Sequence, residues 1–169
     1  YETQICDQRL KDKLWDQAIE QANIALEKNP NHRGAMMCRA LVFINKKQYT
    51  SATKELTALI EFLKKTLQDD DLTGKGTLAA AYANRGIIKD RKEQYEEALK
   101  DYIKALEVDH EAVAGPGLGH KIIYMINKPS SVRDRAQYIH EQLQLPPEKR
   151  LLKLPEADEE QRMHKPGKL

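Results

Sequence analysis

The sequence predicts an all-α protein, a short array of helix-turn-helix units closed at its C-terminal end by a helical hairpin. Three features of the chain predict it. Two segments repeat a pattern: W-D-Q-A-I-E-Q-A-N-I-A-L-E-K-N-P (Trp15–Pro30) and Y-E-E-A-L-K-D-Y-I-K-A-L-E-V-D-H (Tyr95–His110). In each, an alanine follows the leading aromatic residue by three positions, and an Ala-Leu pair stands seven beyond that alanine. Between them Y-T-S-A-T-K-E-L-T-A-L-I (Tyr49–Ile60) repeats the opening of the pattern. The second feature is spacing, since Ala18 and Ala52 are 34 positions apart, a period that belongs to paired helices. Ala52 and Ala98 are 46 apart, the same period with 12 residues inserted. The third is composition, because 40% apolar and 32% charged residues, interspersed along the chain, suit a surface-rich helical protein.

Apolar residues recurring every three or four positions predict helices over 1–12, 15–28, 33–46, 49–67, 77–92, 95–108, 117–128 and 131–144, with a short one near 147–153. Pro30 stops the second of these, because proline lacks the N–H that a helix interior needs. Leu56, Leu59, Ile60, Leu63 and Leu67 form the apolar stripe of the long fourth helix, and Q-D-D-D-L-T-G-K-G-T then reads as a loop. The stretch V-A-G-P-G-L-G-H-K (Val113–Lys121) reads as a helix stop followed by a helix start, with Pro116 suited to a first turn. Ser130 or Ser131 supplies an N-cap for the next helix. The domain reading is a repeat array over 1–110 (units 1–30, 31–76 and 77–110), a degenerate closing unit over 111–154, and a charged, mobile tail over 155–169. The chain opens without methionine and inside a helical pattern, which reads as a fragment or processed form.

Over residues 1–110 these residues resemble the tetratricopeptide repeat (TPR) family. Tyr82, Gly86, Tyr95, Ala98, Tyr102, Ala105 and Leu106 fall on the family's signature spacing. The resemblance implies about three repeats and a capping hairpin wound into a short right-handed superhelix. It also implies that Gly86 and Ala98 sit where the two helices of a repeat touch, with Tyr95, Tyr102 and Leu106 filling the gap to the next repeat. The chain departs from the pattern at Arg85, which replaces an apolar residue, and at His110, where proline usually stands.

The chemistry-bearing motifs do not assemble a catalytic or cofactor site. A phosphate-binding loop needs G-x-x-x-x-G-K-[ST] after a strand; here Ala114 stands for the first glycine, His120 follows Gly119, and a helix precedes. A dinucleotide loop fails on the same helix and on its G-x-G-x-G spacing. The five histidines lack zinc-site pairings, and Asp69–Asp71 lacks the alternation of a calcium loop. No catalytic residue, cofactor or metal is therefore expected. Net charge is +2 from 28 basic and 26 acidic residues, mixed along the chain, which argues against nucleic acid as partner. No apolar run reaches the roughly 18 residues a membrane span requires. Cys6 and Cys38 are too few for a disulfide framework and read as buried free thiols, a bridge between them being the alternative.

Binding remains. The resemblance implies a concave groove lined by the first helix of each repeat. It puts Thr3, Asp7 and Leu10 there from repeat one, Met37, Leu41 and Ile44 from repeat two, and Ala83, Asn84, Ile87 and Arg91 from repeat three. The partner-binding residues so proposed are Asp7, Met37, Leu41, Ile44, Asn84, Ile87 and Arg91. Members that capture chaperone tails use lysine, asparagine and arginine around a terminal carboxylate. The matching positions here are Thr3, Asp7, Cys38, Ala80 and Asn84, which lack the basic residues, so a chaperone C-terminal tail does not fit. An apolar or amphipathic protein segment fits better. The expected function is a non-catalytic protein–protein interaction module, with the cytoplasm the favoured compartment. One alternative is an assembly subunit that forms a homo-oligomer through the long helix and the cap; another is an accessory domain of a larger protein. L-P-P-E-K-R-L-L-K-L-P (Leu145–Pro155) either packs back on the last helix or docks into a neighbouring molecule.

Overall fold

The computed structural model describes residues 14–114 and 132–154, the side chains of 109–114 excepted. Within them lie six α-helices and no strand: α1 (Trp15–Lys28), α2 (Arg33–Asn45), α3 (Tyr49–Thr66), α4 (Leu72–Arg91), α5 (Tyr95–Ala114) and α6 (Val132–Leu143). Each helix packs on the next in chain order, α4 on α5 most extensively, and α2 also touches α4. The expected helices over 1–12 and 117–128, the tail, and the glycine-rich stretch from Gly115 onward lie outside the described residues.

The helices follow from their apolar spacing and their stops. In α1, Ala18, Ala22 and Ala25 are buried as one narrow stripe. Pro30 and an Asn29 side chain that accepts the Asn31 N–H end it. His32 then caps α2, its Nδ1 accepting the Ala35 N–H at 3.2 Å. Of the expected stripe, Leu56, Leu59, Ile60 and Leu63 are buried on α3 together with Ala52, while Leu67 is half-buried and stands just past the helix end.

Two helix boundaries differ from expectation by more than one residue, and one short helix is reduced to a turn. The fifth predicted helix starts at Leu72 instead of 77, because Asp71 caps it, accepting the Gly74 N–H at 2.7 Å. Gly74 does not loosen the backbone there. A Cβ on it would lie 2.3 Å from Leu67 Cδ1 and 2.8 Å from the Arg33 guanidinium, so the residue is small because α2 and the end of α3 press against it. α5 continues to Ala114, six residues beyond the expected end. The short helix expected near 147–153 is a single 3-10 turn at Pro147–Lys149, and Arg150 leaves it in extended backbone.

The α2–α3 and α4–α5 turns are alike in backbone. K-K-Q-Y (Lys46–Tyr49) and K-E-Q-Y (Lys92–Tyr95) each place their second residue at positive φ, Lys47 at 57° and Glu93 at 61°. In each turn the following glutamine donates its N–H five residues back, Gln48 to Phe43 at 2.8 Å and Gln94 to Lys89 at 2.9 Å. That is the Schellman stop, built here without glycine.

The main core joins α2 through α6, and a smaller alanine-rich one joins α1 to α2 through Ala18, Ala22, Ala25, Ala35, Cys38 and Val42. Cys38 corrects one expectation: it is disulfide-bonded, not a free thiol, and the only other cysteine of the sequence, Cys6, lies outside the described residues. At the α4–α5 contact, a Cβ on Gly86 would meet the Tyr102 ring at 2.7 Å and the Ala98 carbonyl at 3.3 Å. The expected close approach at Gly86 and Ala98 is present.

Candidate interaction surfaces

Five of the partner-binding residues expected to line a groove lie in the interior. Met37, Leu41 and Ile44 on α2 are 2%, 2% and 1% exposed, and Asn84 and Ile87 on α4 are fully buried. The four apolar ones belong to the main core. The Asn84 amide nitrogen lies 3.7 Å from Met37 Sδ, a direct α2–α4 contact. Arg91 is half-buried at the end of α4, and Asp7 lies outside the described residues. A helix that is apolar around its whole circumference is a buried helix. A-M-M-C-R-A-L-V-F-I in α2 and T-L-A-A-A-Y-A-N-R-G-I-I in α4 carry that signal, with Arg39 the only charge in the first and Arg85 the only one in the second. These side chains form part of the core and not of an open surface.

Arg85, the departure from the repeat pattern, bridges three helices. Its Nε and Nη2 each donate to Asp101 of α5 at 2.8 Å, and its Nη1 donates to Thr57 Oγ1 of α3 at 3.1 Å. Its guanidinium also lies 5.6 Å from the centre of the Tyr82 ring. The hydrogen bonds to Asp101 raise the Arg85 pKa above the ordinary arginine value, more than burial lowers it.

A second network was not foreseen from the sequence. Arg135 of α6 donates through Nε and Nη2 to both carboxylate oxygens of Asp90 on α4, each at 2.7 Å, and the Tyr102 hydroxyl donates to Asp90 at 3.0 Å. The Arg135 and Asp90 side chains are 4% and 1% exposed, so this pair is withdrawn from water. Burial pulls the Arg135 pKa down, but the hydrogen bonds and charge of Asp90 outweigh it and the net shift is upward. The partners stand 45 residues apart, beyond the reach of any local spacing argument.

The same face of α6 holds the chain that follows it. Tyr138 donates its hydroxyl to the Leu151 carbonyl at 2.6 Å, and Gln142 Oε1 accepts the Leu151 N–H at 2.7 Å. Arg135 Nη2 also donates to the Leu152 carbonyl at 2.9 Å. Leu152 packs against the main core, and Lys153 pairs with Glu93 at 2.6 Å. The 145–155 segment, as far as Leu154, therefore folds back on its own chain. Beside Leu152 an open cleft of about 250 Å³ is walled by Tyr95 and Leu143 and rimmed by Glu93, Glu96 and Glu97. A larger cleft, about 370 Å³, lies at the far end of the stack between His32, Phe62, Leu67 and the Arg33–Asp71 ion pair.

Among the described residues no group of three or more histidine, cysteine or acidic side chains could hold a metal ion, and no helix is long and apolar enough to cross a membrane. No curated protein matches the chain. Residues 79–111, which comprise most of α4 together with α5, match the tetratricopeptide repeat family, and their Gly86–Tyr102 and Ala98 contacts are those the repeat's spacing demands. The chain thus contains a tetratricopeptide repeat, a domain type that generally mediates protein–protein interaction.

Proposed function

We propose that this chain is a non-catalytic protein-binding module that takes an apolar or amphipathic segment of its partner along the joint face of α2 and α4. On this reading the repeats (1–30, 31–76 and 77–110) wind into a right-handed superhelix closed by the unit at 111–154. Met37, Leu41, Ile44, Asn84, Ile87 and Arg91 contact the partner from the described part, and Asp7 contacts it from the first repeat. The observation that carries the reading is the direct meeting of α2 and α4 at Met37 and Asn84, the first helices of successive units lying side by side. Their burial sets a condition, since the face must open before a partner segment binds, which lowers the apparent affinity by the fraction that is open.

Burial also decides how the reading is tested. Glutamate at Met37 or Leu41 would place a charge in the core and unfold the chain, which says nothing about binding. Arg91 is half-buried and suits the purpose. Peptides selected from a random displayed library against the full chain should be apolar or amphipathic, and Arg91→Glu should weaken them with unchanged circular dichroism. Selected peptides that bind wild type and Arg91→Glu equally would place the site elsewhere.

A further inference from the structure

Arg150–Leu154 is held in a way that does not depend on its being part of the same chain. Three of its fixed points are peptide groups: the Leu151 N–H, the Leu151 carbonyl and the Leu152 carbonyl, read by Gln142, Tyr138 and Arg135. Two more are side chains of simple chemistry, Leu152 on the core and Lys153 on Glu93. Side-chain groups that read backbone accept any segment of the right shape, and the adjoining side-chain sites give the selectivity. Those sites ask for an apolar residue followed by a basic one.

The strap is also lightly held. Leu151 is 67% exposed, and the Lys153–Glu93 pair is in water at both ends, where such pairs contribute little. The strap's own Arg150 and Leu152 line an open cleft of about 250 Å³ that also carries Glu93, Glu96 and Glu97, so the ground beside the strap is acidic and suits a basic segment. Arg135 Nη1 is a further buried donor with no hydrogen-bond partner among the described residues. An incoming segment with a second basic residue can therefore gain charge contact with Glu96 and Glu97 beyond what the strap makes.

We propose that the α6 cradle of Arg135, Tyr138 and Gln142 is a second docking site, separate from the α2–α4 face. It takes a leucine-leucine-basic segment of a partner protein, with Arg150–Leu154 as a tethered ligand that the partner displaces. Arg150 sets the threshold for displacement: it donates to the Leu145 carbonyl at 2.8 Å and the Leu143 carbonyl at 3.1 Å, pinning the turn that returns the strap. A tether of this length competes at millimolar effective concentration.

The test is fluorescence anisotropy with a labelled peptide, Arg-Leu-Leu-Lys-Leu, titrated into the full chain. Leu152→Asp ejects the strap and should bind the peptide at least ~10-fold more tightly than wild type, because the competing ligand is gone. Adding Tyr138→Phe and Gln142→Ala to that variant should abolish binding. Adding Glu93→Lys should weaken the peptide and favour a version with glutamate in place of its lysine. No binding to a Leu152→Asp chain of wild-type circular dichroism, or binding indifferent to Tyr138→Phe and Gln142→Ala, would overturn the proposal. Should Leu152→Asp fail to fold, Leu152→Ala removes the strap's core contact with less disturbance; it too must bind the peptide more tightly than wild type, and equal binding overturns the idea. Sedimentation showing wild-type dimers that Leu152→Asp abolishes would make a second copy the occupant and overturn it as well.

Discussion

Asp90 is the residue on which the most depends. Its carboxylate accepts from Arg135 twice and from Tyr102, tying α4, α5 and α6 at a point almost free of water. A buried pair of this kind is weak evidence of net stabilisation, since both charges were costly to desolvate, but breaking it strands the survivor. Asp90→Ala should therefore destabilise the chain by about 3–5 kcal/mol in urea unfolding, with Asp90→Ala/Arg135→Leu less damaged than the sum of its singles. A double variant as unstable as that sum would deny the coupling. Asp71 is the opposite case, at the surface. Its hydrogen bond from Arg33, then the one from the Gly74 N–H, holds its pKa below the ordinary carboxylate value. A depressed pKa means that the folded state favours the ionised form, so its contribution is present above the unfolded carboxylate pKa and fades as pH falls through the folded one. A carboxylate titration of Asp71 by NMR should give a midpoint below 3.8, and Arg33→Ala should move it upward.

At the scale of the element, turns and stops were less legible than stripes. The stripe of α3 was readable because a helix repeats its faces at fixed spacing, and the contact at Gly86 and Ala98 was implied by the tetratricopeptide resemblance, where close approach needs small side chains. The start of α4 was not. D-D-D-L-T-G-K-G-T looks like a loop, yet Asp71 caps a helix whose Gly74 is small because Leu67 and Arg33 lie against it. The burial of Met37, Leu41, Ile44, Asn84 and Ile87 was not read, because resemblance assigned them to an open face while the near-continuous apolar runs around them marked an interior. The positive-φ stops at Lys47 and Glu93 had no glycine to announce them. Lys47→Gly should accordingly stabilise the chain by about 0.5–1 kcal/mol, relieving the left-handed conformation at some entropic cost in the unfolded state. A lower melting temperature for Lys47→Gly would contradict the strain assigned to this turn.

For the molecule as a whole, the described helices form a stack in which each packs on the next. The α2–α4 residues proposed for binding are buried in the core, and a leucine-bearing strap of the chain's own sits on α6, so neither candidate surface stands open among the described residues. Occupied surfaces of this kind make affinity depend on displacement as well as on contact. Binding at the α2–α4 face is read in methyl and amide NMR spectra of the labelled chain, recorded with and without a selected partner peptide. Binding should shift the resonances of Met37, Leu41, Ile44 and Ile87 together with the amide of Asn84, and leave the outer positions of α3 and α5 unmoved. Shifts confined to the exposed residues of α3 and α5, with the α2–α4 signals unchanged at saturation, would contradict it.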